Sequence, residues 1–271
     1  MSQEPAYRRV GVLDTNMLHY VGLYLRYAKE KALFPWCCRD GGEDLDQEGM
    51  DEAARELERI DSTRRAKERE SLRVGFGVVK IASEHDIALC YGPISHLELL
   101  VGRVRGKAVV DAAEEGVPDR MWSRLDEREI RDRVSAEEMQ DTAGRIAEIG
   151  EWLEELGLAD RTAIRRDLAD TIELACEIVG GVYLEVGDSI VYASAILAGA
   201  EILFTGDGPM RSTVNRVHNP SDGGSAAEVM RFRAIRERLR HRVAVDPTSG
   251  DPLFPRAHTV SAGGTVNPEL V

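Results

Sequence analysis

Val10-Gly11-Val12-Leu13-Asp14-Thr15-Asn16 is an apolar run that stops abruptly at a carboxylate and two small polar residues. The run is continuous, not alternating, which suits a strand covered on both faces, as in a parallel sheet. Similar runs recur at 87–90, 182–184, 202–204 and 243–245, each after a helix-like stretch. Strands alternating with helices predict an α/β domain with right-handed crossovers.

The helices between those runs are legible. Residues 64–82 are rich in helix formers, with Leu72, Phe76, Val78 and Val79 supplying an apolar face. Leu97, Leu100, Val101 and Val104 carry the spacing of a one-sided helix. Ser135-Ala136-Glu137-Glu138 is a capping box opening a helix that runs to about Leu156, with Ile146, Ile149, Trp152, Leu153 and Leu156 inward. Residues 190–198 are apolar nearly all round, which predicts a helix buried against the sheet, and 226–240 read as a final basic helix. Two stretches, at about 31–61 and 109–160, exceed the needs of a minimal domain and are expected to pack as insertions on one core spanning 8–246. Residues 247–271, with Pro247, Pro252, Pro255 and Pro268, are expected to form an extended tail.

The 271 residues are 43% apolar, enough to bury a core. No apolar run approaches the ~18–20 residues that span a bilayer, and the polar stretch before Val10 does not read as a secretory signal. Cys37, Cys38, Cys90 and Cys176 form no C-x-x-C pair. That usage points to a reducing compartment, the cytoplasm, with no structural zinc site. The net charge of −13, from 48 acids against 35 bases, argues against a strong non-specific grip on polyphosphate. It leaves room for a local basic rim, because distribution matters more than the sum. Much of the excess acid falls in one stretch, Glu43, Asp44, Asp46, Glu48, Asp51 and Glu52, which reads as a solvated acidic loop.

Four further acids occupy special places. Asp14 and Asp207 lie just past the ends of strand-like runs, and Glu98 and Asp188 fall at the starts of helices expected to follow two others. An open parallel sheet binds ligands outside the carboxyl ends of its strands, so all four are expected at one edge of the molecule. Each also has a local role available. Asp14 and Asp188 can cap helices. Glu98 can close a capping box with Ser95, and Thr205-Gly206-Asp207-Gly208-Pro209 can be a plain turn.

Taken in order, Val12-Leu13-Asp14-Thr15-Asn16, Ile94-Ser95-His96-Leu97-Glu98-Leu99, Gly187-Asp188-Ser189-Ile190-Val191-Tyr192-Ala193 and Ile202-Leu203-Phe204-Thr205-Gly206-Asp207 resemble the motifs of PIN-domain nucleases. The resemblance covers roughly 10–25, 87–104 and 182–245. It implies a three-layer α/β/α, Rossmann-like fold with a mainly parallel sheet, and an acidic pocket holding Mg²⁺ or Mn²⁺. It also implies hydrolysis of phosphodiester bonds, mostly in RNA. The family's acids match Asp14, Glu98, Asp188 and Asp207, and its polar residues beside the metal match Asn16 and Thr205. Toxin ribonucleases are common bacterial relatives, which implies an antitoxin-like protein partner, and such domains often pair as homodimers. Two departures stand out. The gaps from Asp14 to Glu98 and from Glu98 to Asp188 are longer than in compact members. Gly208-Pro209-Met210 follows Asp207 where many relatives carry an acid and an aromatic.

Chemistry explains why such residues would cluster. Neighbouring carboxylates raise the cost of ionising one another, and a hard divalent cation with oxygen ligands resolves the conflict. Asp14 and Asp188 are expected as main ligands, with Glu98 and Asp207 completing the site and Asn16 and Thr205 orienting it. Arg103, Arg105 and Lys107 beyond Glu98, and Arg211 and Arg216 beyond Asp207, are candidate substrate-binding donors or ordinary solvated surface. His19 and His96 are expected to support or pack. Two other readings stand beside the nuclease: a catalytically silent PIN-like module that binds RNA or protein, and a haloacid-dehalogenase-like phosphatase suggested by Gly206-Asp207-Gly208. The phosphatase chemistry needs a carboxylate where Asn16 stands.

Overall fold

The computed structural model describes residues 8–31, 33, 47–59, 66–159, 168–222 and 224–260. Cys37, Cys38 and the acidic residues Glu43, Asp44 and Asp46 lie outside them. The chain runs β1 (Arg9–Leu13), α1 (Thr15–Glu30), α2 (Gln47–Arg59), α3 (Ala66–Glu84), β2 (Ile87–Tyr91) and α4 (Pro93–Glu114). Next come α5 (Asp119–Trp122), α6 (Glu127–Arg133), α7 (Ala136–Glu155), α8 (Leu168–Val182) and α9 (Val186–Leu197). The described part closes with β3 (Ile202–Phe204), α10 (Gly208–His218), α11 (Ala226–Leu239) and β4 (Arg256–His258).

The sheet is four-stranded and wholly parallel, in the order β2-β1-β3-β4. Its two-residue period decides the layers. Leu13, Ile87, Leu89, Ile202 and Phe204 face one way, into a core built with α1, α2, α3 and α7. Val12, Cys90, Leu203 and Ala257 face the other way, into a core built with α8, α9, α10 and α11. The fold is therefore a three-layer α/β/α sandwich. The continuous apolar strands follow from burial on both faces. Of the two long extra stretches, the described helices α2 and α7 join the first of these layers. Met50, Ala53 and Leu57 of α2, and Ile146, Ile149 and Leu153 of α7, are buried in the same core as α1 and α3. Past α7 the chain covers the outer edge of β2, where Leu89 N–H donates to Leu158 O at 2.6 Å. This protects an edge that would otherwise offer free pairing groups. Among the described residues, no helix is long and apolar enough to cross a membrane.

Several expectations need correction. Residues 182–184 are not a strand: α8 ends at Val182, Tyr183 takes a left-handed φ of 52°, and α9 starts at Val186. Val182 and Leu184 are buried but Tyr183 is 86% exposed, so this is a connector between helices; so short an apolar run has the composition of a strand, and periodicity does not separate the two. Residues 243–245 supply only an isolated antiparallel bridge between Val245 and Pro252. The fourth strand comes instead from the segment expected as tail, where Arg256–His258 pairs with β3. On α4, Leu97 and Val101 are exposed, and the buried positions are Ser95, Leu99, Ala108 and Ala112.

Candidate active site

The strand order reverses between β1 and β3, so the crevice of the sheet lies beyond their carboxyl ends. Asp14 and Asp207 stand there. Asp14 is 5% exposed and caps α1, its Oδ1 accepting from Met17 N–H at 2.7 Å. Its Oδ2 accepts from Gly206 N–H across the crevice at 3.2 Å. Thr205, fully buried, bonds Asp14 through its side chain and accepts Asp207 N–H at 3.0 Å. Asp207 caps α10, accepting Met210 N–H at 2.6 Å. Asp14 and Asp207 thus do serve as caps, and Thr205 ties them together.

Glu98 and Asp188 do not cap. α4 begins earlier than the Ser95-x-x-Glu98 pattern implies, with Gly92 as its N-cap and Pro93 in its first turn. Ser95 is buried and its hydroxyl turns to Leu13 O, so Glu98 falls in the second turn with no backbone group to satisfy. Its Oε2 instead accepts a hydrogen bond from Thr15 Oγ1, beside Asp14. Asp188 lies inside the first turn of α9, and the N-cap position belongs to Glu185, whose side chain makes no capping bond. The helix that carries Asp188 follows another helix, not a strand. Its start is nonetheless brought to the same edge: a Cβ on Gly187 would stand 2.6 Å from Glu98 Oε1. The contacts form a continuous path, from Asp207 through Thr205 to Asp14, and from Thr15 through Glu98 to Gly187 and Asp188.

The electrostatics agree with this path. Burial, then the charges of Asp207, Glu185, Asp14 and Glu98, push Asp188 up to about 6. Asp14 is also raised, by burial, against the lowering pull of bonds from Thr205, Met17, Gly206 and Asn16. The ion pairs of the described residues involve other acids throughout, leaving these four without a cationic partner among them. Among the described residues, no three or more His, Cys, Asp or Glu side chains already form a group able to hold a metal ion. Asp188 lies within electrostatic reach of the other three acids, but the four do not form a closed cage. Their all-oxygen chemistry and uncompensated charge fit a hard divalent cation; the coordination shell would still have to be drawn together. A cleft of about 250 Å³ opens beside the Asp14 loop, lined by Met17, Tyr20, Ser71, Val74, Gly206 and Thr259.

The remaining candidates separate. Asn16 is exposed and meets Asp14 through its backbone. Arg211 is exposed near the start of α10 and donates to Thr259 Oγ1 at 2.8 Å, close to the crevice. Arg216 is engaged elsewhere, pairing with Glu228 at 3.2 Å and stacking on Phe232 at 4.3 Å. Arg105 holds Ser123 O at 2.9 Å, and Lys107 pairs with Asp111 and Glu138 at 2.9 and 3.1 Å. Those bonds fix α5 and α7 against α4. Arg103 faces a different cleft, against α1 and α7. His96 stacks on Tyr91, and burial lowers its pKa. Sequence patterns did not single out Thr15, Glu185 or Gly187. The signal for Gly187 was a small residue beside an acid at a helix start; Thr15 and Glu185 carried none.

No protein-family model matches the chain, and neither the curated proteins nor the solved structures give a match.

The Gly187 contact can be tested. An added methyl meets the free end of Glu98, which can swing away, so Gly187→Ala is expected to leave the melting temperature near wild type. Displacing one carboxylate by about 1 Å should cost any reaction at this site about a hundredfold in rate. Melting curves and turnover on the same preparation check both halves.

Proposed function

We propose that this chain is a divalent-metal-dependent nuclease of the PIN type, acting as a ribonuclease on phosphodiester bonds. One observation carries the reading: hydrogen bonds and close approaches bring Asp14, Asp207, Glu98 and the start of the helix bearing Asp188 to one edge, at the sheet's reversal point, with no ion pair from the described residues to balance them. The ordered motifs and the α/β/α fold support it. Asp14 and Asp188 would be the principal ligands of Mg²⁺ or Mn²⁺, with Glu98 and Asp207 completing the set. Such an ion would supply an activated water and charge stabilisation at phosphorus. The protein's own part is positional. The Thr205 and Gly206 bonds hold Asp14 in place, and Thr15 holds Glu98 toward it. Arg211 stands nearby to meet a phosphate. The same reading places the protein with RNA in the cytoplasm, as a homodimer or with an antitoxin-like partner.

A silent binding module is the second reading, favoured by Asp14 and Asp207 each committing an oxygen to a helix cap. Incubation with single-stranded RNA and Mn²⁺, against an EDTA control, separates the two. Metal-dependent cleavage supports the nuclease, and intact RNA with retained binding supports the module.

Metal binding should also track the titration of Asp188. With its folded value near 6, above the ordinary 3.8, the metal-free folded state holds this proton more tightly than the unfolded chain. Its contribution to stability is therefore fully present below pH 3.8 and lost as pH rises through 6. Asp188→Asn should remove that slope, read as the difference between the two proteins' denaturation midpoints at several pH values. Mn²⁺ affinity by calorimetry should fall below pH 6, where the proton competes for the carboxylate. An affinity unchanged between pH 5 and 7 would argue against Asp188 as a ligand.

A further inference from the structure

A second concavity, of about 460 Å³, lies between α1, α4 and α7. α1 and α4 carry Asp14, Thr15 and Glu98 at or near their starts, and the cleft lies further along the same two helices, from Gly22 on α1 and at Arg103 on α4. Its cationic groups are Arg26, Lys29, Arg103 and Arg145. Three of them are already paired: Arg26 with Glu30 at 3.2 Å, Arg145 with Asp141 at 2.8 Å, and Lys29 with Glu155 at 3.7 Å. Arg103 is different. It is half-buried, and among the described residues it makes neither an ion pair nor a side-chain hydrogen bond. Its guanidinium lies against α1 where Gly22 has no side chain, with Nη2 3.8 Å from the position a Cβ would take. Burial and the charges of Arg26 and Arg145 depress its pKa, and no carboxylate acts on it in return. Glu148 and Glu151 also line the cleft, from α7.

A guanidinium carries five N–H donors in a rigid fork that matches a phosphate. Arg103 is held half-buried beside Arg26 and Arg145 with no acceptor among the described residues, so its donors are open to an arriving anion. We propose that Arg103 and this cleft bind a phosphate group of the RNA backbone, one or more nucleotides away from the bond at the acidic crevice. The proposal rests on the nuclease reading for the identity of the strand. It also gives the inserted helix α7 a purpose, because Arg145 and the far wall of the cleft come from it.

The test is binding of a fluorescein-labelled single-stranded RNA in EDTA, followed by anisotropy, so that no cleavage enters. Arg103→Ala should weaken binding about tenfold and lower its salt dependence by about one unit of slope. Arg103→Lys should recover only part, since it keeps the charge and loses the fork. Arg238→Ala, on α11 in the opposite layer, should change binding less than about twofold. Thermal melting of each variant checks folding, and Arg103→Ala should melt no lower than wild type because it removes an uncompensated charge.

Inorganic phosphate, titrated by calorimetry, separates the two sources of the anion. Competition between phosphate and RNA, lost in Arg103→Ala, supports the proposal. Phosphate binding that needs Arg103 while RNA binding does not would overturn it in favour of a free anion. RNA affinity unchanged in Arg103→Ala would overturn it outright. Because these measurements omit metal, a protein that binds RNA through Arg103 and never cleaves it defeats the nuclease reading alone. A nuclease indifferent to Arg103 defeats this proposal alone.

Discussion

Asp14→Asn is expected to lower metal-dependent cleavage about a thousandfold while the protein still folds. Asparagine keeps an oxygen to accept Met17 N–H, so the cap on α1 survives. What is lost is the charge and the second oxygen, which now accepts Gly206 N–H at 3.2 Å. Removing a charge that burial already disfavours relieves strain as well as costing a bond. The melting temperature should therefore move little. Asp188 loses one of the carboxylates that raise it, so its titration should shift down toward the ordinary range. Cleavage rates with Mn²⁺, melting by circular dichroism and the pH dependence of metal binding report these consequences separately. Full activity in this variant would end the assignment of Asp14 as a metal ligand.

The parts of this site that were legible in the sequence are those where local pattern and tertiary position coincide. Asp14 and Asp207 terminate apolar strands, and a strand end in a doubly covered parallel sheet fixes its neighbour's place. Ser95-x-x-Glu98 satisfies a capping pattern by sequence alone, yet α4 starts earlier, with Gly92 as its N-cap. Gly92-Pro93, a better helix start by virtue of proline in the first turn, was the signal that wins in the structure. The correction strengthens the candidate site, since it frees Glu98 for Thr15. The apolar run 182–184 reads as a strand although Gly180 and Gly181 precede it; in the structure Val182 and Leu184 join the core with α8 and α9, while Tyr183 is exposed. Edge strand β4, Arg256-Ala257-His258, has no apolar run to announce it. Its place is set by pairing with β3. Long-range contacts such as Gly187 with Glu98 leave no trace in either local pattern.

Gly75→Ala should have the largest effect on stability, and its sign is decided by a contest. In an exposed helix interior, alanine is better than glycine by about 1 kcal/mol. Gly75 sits in α3 where that helix presses on α1, and a Cβ there would stand 2.1 Å from Tyr20 O and 2.9 Å from Tyr24 Cβ. The first obstacle is backbone, which cannot rotate away as a side chain does. The helices must separate, and with them the packing of Tyr24, Val21 and Leu72 in the core. Overpacking of this kind costs about 3 kcal/mol, which outweighs the helix preference. Gly106→Ala on α4 is the matched control: nothing lies within 4 Å of its Cβ position, so only the preference remains and the protein should gain up to about 1 kcal/mol. Urea denaturation midpoints should move in opposite directions for the two variants. The damage from Gly75→Ala should also reach the crevice, because α1 carries Asp14 at its cap and Thr15 in its first turn. A Gly75→Ala protein as stable as wild type would mean that α1 and α3 are not packed backbone to backbone, and the placement of Asp14 would lose its support.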